Sequence, residues 1–375
     1  MLRPYSIHMD GSLDGDENTR YSRHLNLPQV GLEGQIKLKE AAVIVVGAGG
    51  LGSPALLYLA AAGIGRIGII DNDVIELSNL QRQIIHSNSK IGQSKVESAA
   101  SRLSDLNPKI EVVPMNLRLK NENALEILDG FDVVIDGTDN FETRYIIGDT
   151  CEKLGIPWIF GSIHRFDGQV STFNYENGPN YRDLFPIPPP PELAPNCEEA
   201  GVLGVLPGMI GAIQATETIK VILGIGDILK GKLLTFDALT MEIRILKFSR
   251  NSNRPNDDET KNKAIVDMLE ISPVEYQNKK KSDWNVFLLD VRRRDEEEIA
   301  SITGTDLRIK HLEIPDRISE IPKDMDIVVY CRTGFRSAAV TRFMAEIGLF
   351  SGRIYNLRGG IHEWSDTVDN SIIKY

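Results

Sequence analysis

Short apolar runs, Gly turns and helix-length stretches alternate along most of this chain. Val43–Val46 is an apolar run suited to a strand covered on both faces. A glycine turn follows it, and the Ala- and Leu-rich stretch Ser53–Ala62 predicts a helix. Arg66–Ile70, Glu111–Pro114 and Asp132–Ile135 predict further strands. This order implies an α/β fold built on a doubly wound, Rossmann-like sheet. The rhythm resumes near the C-terminus. Val286–Asp290 and Ile327–Tyr330 predict buried strands of a second, smaller α/β domain. Ser337–Ile347 predicts an amphipathic helix with Val340, Phe343, Met344 and Ile347 on one stripe.

The polar and proline-rich stretches set the boundaries. Pro186 and Pro188 to Pro191 cannot join a helix or central strand, so residues 179–195 predict an extended surface arm. Residues 249–263 are polar and charged and read as a linker. The expected organisation is a disordered tail over 1–19, a first domain over 20–248, a linker over 249–264 and a second domain over 265–375. Ala200–Ala215 is too short and too interrupted, by Pro207, to span a bilayer. Its continuation carries Gln214, Glu217 and Lys220, so it reads as a helix buried in a core or dimer interface.

Composition narrows the class. The 375 residues are 42% hydrophobic and 25% charged, as in a soluble globular protein. A net charge of −11 argues against general nucleic-acid binding, because no basic excess neutralises phosphates. Cys151, Cys197 and Cys331 are too few and scattered for a disulfide framework and suggest a reducing cytoplasm. Met1–Asn18 lacks a signal-peptide h-region.

Gly47-x-Gly49-x-x-Gly52 lies between a strand and a helix, where backbone amides can meet a phosphate. Asp71, after the next strand, is placed for ribose hydroxyls. These features alone suit a nicotinamide dehydrogenase equally well. Asp73, then Ser78-Asn79-Leu80-Gln81-Arg82-Gln83, then Lys95 move the weight. Cations near phosphates serve an enzyme that cleaves ATP, because charge develops there in the transition state. Asp136-Gly137-Thr138-Asp139-Asn140 ends another strand, where a carboxylate can hold Mg²⁺.

Together these motifs, with Gly-Gln-Ser-Lys-Val at 92–96, resemble the MoeB/ThiF adenylyltransferases, relatives of ubiquitin-activating enzymes. The resemblance spans roughly 20–248. It implies that ATP adenylates the C-terminal glycine of a ubiquitin-like sulfur carrier ending in Gly-Gly, of the MoaD/ThiS kind. It implies nucleotide contacts from Gly47, Gly49, Gly52, Asp71 and Asp73. It implies phosphate contacts from Asn79, Arg82, Gln83 and Lys95, and magnesium binding by Asp139 beside Asn140. Arg20-Tyr21-Ser22-Arg23 matches a family segment whose arginine reaches the partner subunit's ATP, so Arg23 in trans and a homodimer are implied. Cys197, in Pro-Asn-Cys-Glu-Glu, matches a crossover-loop cysteine that can take a covalent link to the carrier. Its other reading is a small apolar residue. Cys151, on an expected helix, reads as core. Many family members hold zinc with two Cys-x-x-Cys pairs. These would fall at 180–183 and near 251–256, where no cysteine exists. No structural zinc is expected, and the proline-rich arm is the expected substitute support.

Cys331-Arg332-Thr333-Gly334-Phe335-Arg336-Ser337 joins a strand to a helix. Its amides and the helix N-terminus can form an anion nest, and Arg332 and Arg336 add cations that favour a thiolate. Phosphate-monoester cleavage and sulfur transfer both use such loops. Four residues lie between Cys331 and Arg336, one fewer than in phosphatase loops of this type, which suits sulfur better. With Leu289-Asp290-Val291-Arg292 and Leu357-Arg358-Gly359-Gly360, the stretch 265–375 resembles a rhodanese domain. That implies a persulfide on Cys331, cradled by Arg332, Gly334 and Arg336. A cysteine desulfurase or thiosulfate would supply the sulfur. Molybdopterin, thiamine and tRNA-thiolation pathways share this chemistry. The alternative is adenylation of the tRNA-modifying dehydratase type, with the second domain only docking a partner.

Overall fold

Val43 and Val45 pack into one hydrophobic core and Ile44 and Val46 into another, because alternate side chains of a strand leave opposite faces. Their strand, β1 (Ala42–Val46), is therefore central. The computed structural model describes residues 12–185, 201–250, 269–282, 284–346 and 349–375. They form two units that meet along the chain between residues 250 and 269.

The first unit holds β1, β2 (Arg66–Ile70), β3 (Glu111–Met115), β4 (Val133–Asp136), β5 (Trp158–His164), β6 (Asp167–Phe173), β7 (Lys232–Asp237) and β8 (Glu242–Lys247). They make one sheet in the order β3-β2-β1-β4-β5-β6-β7-β8. Pairings from β3 to β5 are parallel, as the sequence implied. Those from β5 to β8 are antiparallel, an extension the apolar pattern did not reveal. Register does the important work: Val46 pairs with Ile70 and with Asp136. The loops leaving β1, β2 and β4 are thus level at one sheet edge, where doubly wound folds bind ligands.

Helix Gly52–Ala62 and helix Leu206–Leu223 share the core on one face of that sheet. Pro207 sits in the first turn of the latter, where a missing N–H costs no hydrogen bond. None of the described helices is long and apolar enough to cross a membrane. The opposite face carries an aromatic cluster. Tyr181 has the rings of Tyr145, Trp158, Phe160, Phe173 and Phe185 at 4.9–5.7 Å. It opens the short helix Tyr181–Leu184, where Arg182 pairs with Asp149 at 2.6 and 2.7 Å. Residues 180–183 are steadied by packed rings and an ion pair, and the proline arm expected to support them lies outside the described residues. Burial pushes the Cys151 thiol well up, as befits a core residue. The N-terminal residues 1–11, the prolines from 186 onward with Cys197, and most of the linker lie outside the described residues.

The second unit is a wholly parallel sheet, β11-β10-β12-β13-β9. Its strands are β9 (Leu269–Ile271), β10 (Val286–Asp290), β11 (Leu307–Arg308), β12 (Asp326–Tyr330) and β13 (Ile354–Leu357). Helix Phe335–Glu346 starts two residues before the expected Ser337. Cys331 follows β12 directly.

Candidate active sites

In the first unit the glycine turn closes by contact between backbones. Gly47 has φ +100°, and a Cβ there would lie 2.6 Å from Gly137 O. A Cβ at Gly52 would lie 1.9 Å from Gly47 O, so the turn and the helix start cannot separate by a side chain's width. At the start of helix Gly52–Ala62, Ser53 N donates to Gly49 O at 2.9 Å, which ties the helix to the glycine turn, and the positive end of the helix dipole lies at that turn. Asp71 shapes the turn: its Oδ2 accepts from Ala48 N at 2.9 Å and its Oδ1 from Asp73 N at 2.9 Å.

His86, which the motif reading passed over, holds the same peptide from the other side. Its Nε2–H donates to Ala48 O at 3.0 Å, leaving Nδ1 to accept from Ser98 Oγ at 3.1 Å. Burial lowers the imidazole's pKa, opposed by the bond to the Ala48 carbonyl and aided by Lys95. His86 lies three residues after Gln83, behind the apolar Ile84-Ile85, and that spacing was the available signal.

The expected nucleotide residues are gathered here with differing freedom. Lys95 is almost fully buried and its Nζ donates to Asp73 Oδ2 at 2.8 Å. Asp73 itself is exposed, so this pair is a poised cation rather than a locked one. Arg82 is half-buried and donates to Ser78 O at 3.2 Å. Gln83 is buried against Gly49, and its Oε1 has no hydrogen-bond partner. An orphaned acceptor beside the turn is what an absent ligand's donor would satisfy. Asn79 and Asn140 spend their oxygens on local caps, to Glu76 N and Thr143 N. Asp139 and Arg23 are exposed. Asp136, wholly buried, is held structurally: Thr138 N and Oγ1 donate to its Oδ1, and Arg144 Nε lies 3.4 Å from its Oδ2. Burial raises its pKa while Arg144 and Thr138 oppose the rise.

In the second unit Cys331 is buried, with Ser337 Oγ 3.4 Å from its Sγ. The same hydroxyl lies 2.7 Å from Asn356 Oδ1. The loop is clasped from behind by the Leu357-Arg358-Gly359-Gly360 turn. Ile361 N donates to Cys331 O at 2.9 Å and His362 N to Arg332 O at 3.1 Å. A Cβ at Gly360 would sit 2.3 Å from Cys331 O, which explains the glycine at that close approach.

Arg336, expected as a cation of the cradle, has a carboxylate partner: its two terminal nitrogens donate to Glu296 at 2.6 and 2.7 Å. Burial alone would raise Glu296. Arg336 and Arg293 more than offset that and hold its pKa at about 2. Arg332, exposed at the loop, is left as the unneutralised cation of the pair. Asp290 and Arg292 form a fully buried, bidentate ion pair beneath the loop.

The ThiF family model matches residues 21–256, more than half of the chain. The chain belongs to the ThiF family. A rhodanese-like domain model matches residues 272–367, which include the Cys331 loop. Among ThiF-family relatives, the probable adenylyltransferase/sulfurtransferase MoeZ of Mycobacterium tuberculosis (strain ATCC 25618 / H37Rv) is 40% identical over 99% of both chains. The adenylyltransferase and sulfurtransferase MOCS3 of Aedes aegypti is 39% identical over 95% of this chain and 89% of its own. The probable molybdopterin-synthase adenylyltransferase of Porphyra purpurea is 40% identical over 95% of this chain and 94% of its own. The structure of E. coli MccB with ATP has a TM-score of 0.56 at 23% identity, covering 64% of this chain and 74% of that one, a likeness of fold. This ThiF-family chain is an enzyme combining adenylyltransferase and sulfurtransferase domains, and a docking-only second domain is not favoured.

Proposed function

We propose that the chain adenylates the C-terminal carboxylate of a ubiquitin-like sulfur carrier ending in Gly-Gly and converts it to a thiocarboxylate with sulfur carried on Cys331. The carboxylate oxygen attacks the α-phosphorus of ATP, and pyrophosphate leaves with the electrons of the broken P–O bond. Lys95 and Arg82 meet the charge that develops on the phosphates, Lys95 exchanging Asp73 for phosphate oxygen. Gly47, Gly49 and Gly52 offer the turn, Asp71 and Asp73 the ribose side, Asn79, Gln83 and Asn140 the flanks. Arg23 comes from a second copy in a homodimer. Mg²⁺ entering with ATP fits the exposed Asp139. No group of three or more metal-ligating side chains occurs among the described residues, and magnesium commonly binds through one carboxylate plus phosphates. It would neutralise phosphate charge.

The sulfur half begins with Cys331 thiolate attacking a donor's sulfane sulfur. For thiosulfate, the S–S bond breaks and sulfite leaves with its electron pair. The terminal persulfide sulfur then attacks the acyl carbon of the carrier adenylate, and AMP leaves. A second thiol, with Cys197 the candidate in this chain, attacks Cys331 Sγ and releases the thiocarboxylate. The resulting disulfide is reduced by a cellular thiol. Free thiols at Cys151 and Cys331 suit a reducing compartment such as the cytoplasm. A cysteine desulfurase would supply the same persulfide by thiol exchange. The name of the Porphyra purpurea relative supports a molybdopterin-pathway carrier.

One observation carries this reading: a glycine turn level with Asp71 and Gly137 and a clasped Cys331 loop occur in a single chain. Incubation with ATP, thiosulfate, a thiol reductant and a Gly-Gly carrier should yield AMP, pyrophosphate and carrier with one oxygen replaced by sulfur. A carrier lacking its last glycine should be inert. Pyrophosphate exchange that ignores the carrier would sink the proposal.

We also propose that no structural zinc is bound, since no cysteine occupies 180–183 or 251–256. Elemental analysis should find no stoichiometric zinc, and chelators should leave the melting temperature unchanged. One zinc retained per chain through chelation would overturn this.

A further inference from the structure

Tyr375 contacts Arg332 of the sulfur loop and the charged groups around it, though it lies far from the loop in sequence. The guanidinium of Arg332 stacks 5.3 Å from the centre of its ring. His362 packs its ring edge-on at 5.9 Å, and His362 Nε2 lies 3.2 Å from Tyr375 O. Arg332 Nε is 3.4 Å from the same His362 nitrogen. The phenol oxygen accepts from Arg292 Nη1 at 2.6 Å and lies 3.5 Å from Glu296 Oε1.

These contacts form a chain of constraint. Arg292 is fully buried and its Nε and Nη2 are bound to Asp290, so its Nη1 is a fixed donor. That donor fixes the phenol, the phenol fixes the ring, and the ring face holds Arg332. An exposed arginine otherwise samples many rotamers and loses that freedom when it binds an anion. Arg336 also interacts electrostatically with Cys331, but Glu296 occupies both its terminal nitrogens and offsets its charge.

We propose that Tyr375 is a positioning residue of the sulfurtransferase site: it presents Arg332 to the sulfur anion approaching Cys331. The proposal rests on the sulfur-anion reading of the Cys331 loop, and its test does not require turnover. Cys331 is alkylated in the full chain with anionic iodoacetate and with neutral iodoacetamide, and modification at that residue is followed by peptide mass mapping. The ratio of the two rates measures the positive field at the thiol.

Tyr375→Ala should lower the iodoacetate-to-iodoacetamide ratio roughly three- to tenfold, the scale of one stacked cation. The iodoacetamide rate should fall less, by the change in thiolate fraction alone, which the ratio cancels. Tyr375→Leu, which keeps bulk without a π face, should behave like the alanine variant and guards against a folding defect. Tyr375→Phe, which keeps the π face but loses the bond from Arg292 Nη1, should lower the ratio by an intermediate amount. Arg332→Ala should lower it equally, and adding Tyr375→Ala should lower it no further, because the two act as one unit. An unchanged ratio in both Tyr375→Ala and Tyr375→Leu, or additive losses in the double variant, would overturn the proposal. In thiosulfate:cyanide sulfur transfer, the KM for thiosulfate should rise by a similar factor with kcat little changed. A wild-type chain that ignores thiosulfate would count against thiosulfate as donor, while the alkylation ratio still decides the role of Tyr375.

Discussion

Cys331→Ala should abolish thiosulfate-dependent thiocarboxylate formation, by on the order of 10³-fold or more, and leave carrier-dependent ATP–pyrophosphate exchange at the wild-type rate. The loss is large because the cysteine is the atom that carries sulfur, and Ser337, Asn356 and the Gly360 turn only place it. Exchange survives because adenylation precedes the arrival of sulfur and uses a separate unit. Alanine at this buried position removes one atom and leaves the loop's carbonyls bonded to Ile361 N and His362 N. Retained exchange shows that the first unit is intact, and an unchanged melting profile should show the same of the second. Thiocarboxylate made at the normal rate by the variant from the same sulfur source would reduce the second unit to a docking module.

Both loops were legible because each is a local pattern. A glycine spacing between a strand and a helix, or a cysteine between a strand and a helix, specifies its own backbone. Asp71 and Asp139 were legible as residues that leave strand ends, and register then brought those ends level. What stayed hidden was set by partners distant in sequence. Glu296 lies 40 positions from Arg336, and no spacing rule connects them. The motif supplied a cation and the fold neutralised it. Tyr375 and Arg292, 83 positions apart, were hidden for the same reason. The antiparallel strands β6 to β8 were missed although Glu242-Ile243-Arg244-Ile245 alternates polar and apolar: the run is short, and every residue of β8 is exposed, so its alternation marks no buried face. Asn79 and Asn140, expected at the nucleotide, each also cap a local backbone N–H through the side-chain oxygen, a role the motif did not show. Asn140-x-x-Thr143 is a spacing that could have shown it.

Lys95→Ala should reduce ATP–pyrophosphate exchange by on the order of 10²-fold or more, the scale of losing one preorganised cation at transition-state phosphate charge. Arg82→Ala and Asp139→Ala should each do the same, through phosphate and magnesium respectively. The Lys95 case is the most discriminating. Its Nζ is buried at the first turn of helix Lys95–Leu106 and pairs with Asp73, which is 61% exposed. Removing a buried ion-pair partner usually strands a charge, but the carboxylate left here is already in water, so little stability should be lost. The variant should melt close to wild type and keep its thiosulfate sulfur transfer. Activity lost together with folding would make Lys95 a structural residue of the Asp73 turn. Normal exchange in all three variants would remove the phosphates from this sheet edge altogether. Lys95→Arg separates charge from shape: a planar guanidinium in a pocket fitted to a compact ammonium should rescue only partly. Full rescue by arginine would mean that long-range charge, rather than a direct phosphate contact, is what Lys95 supplies.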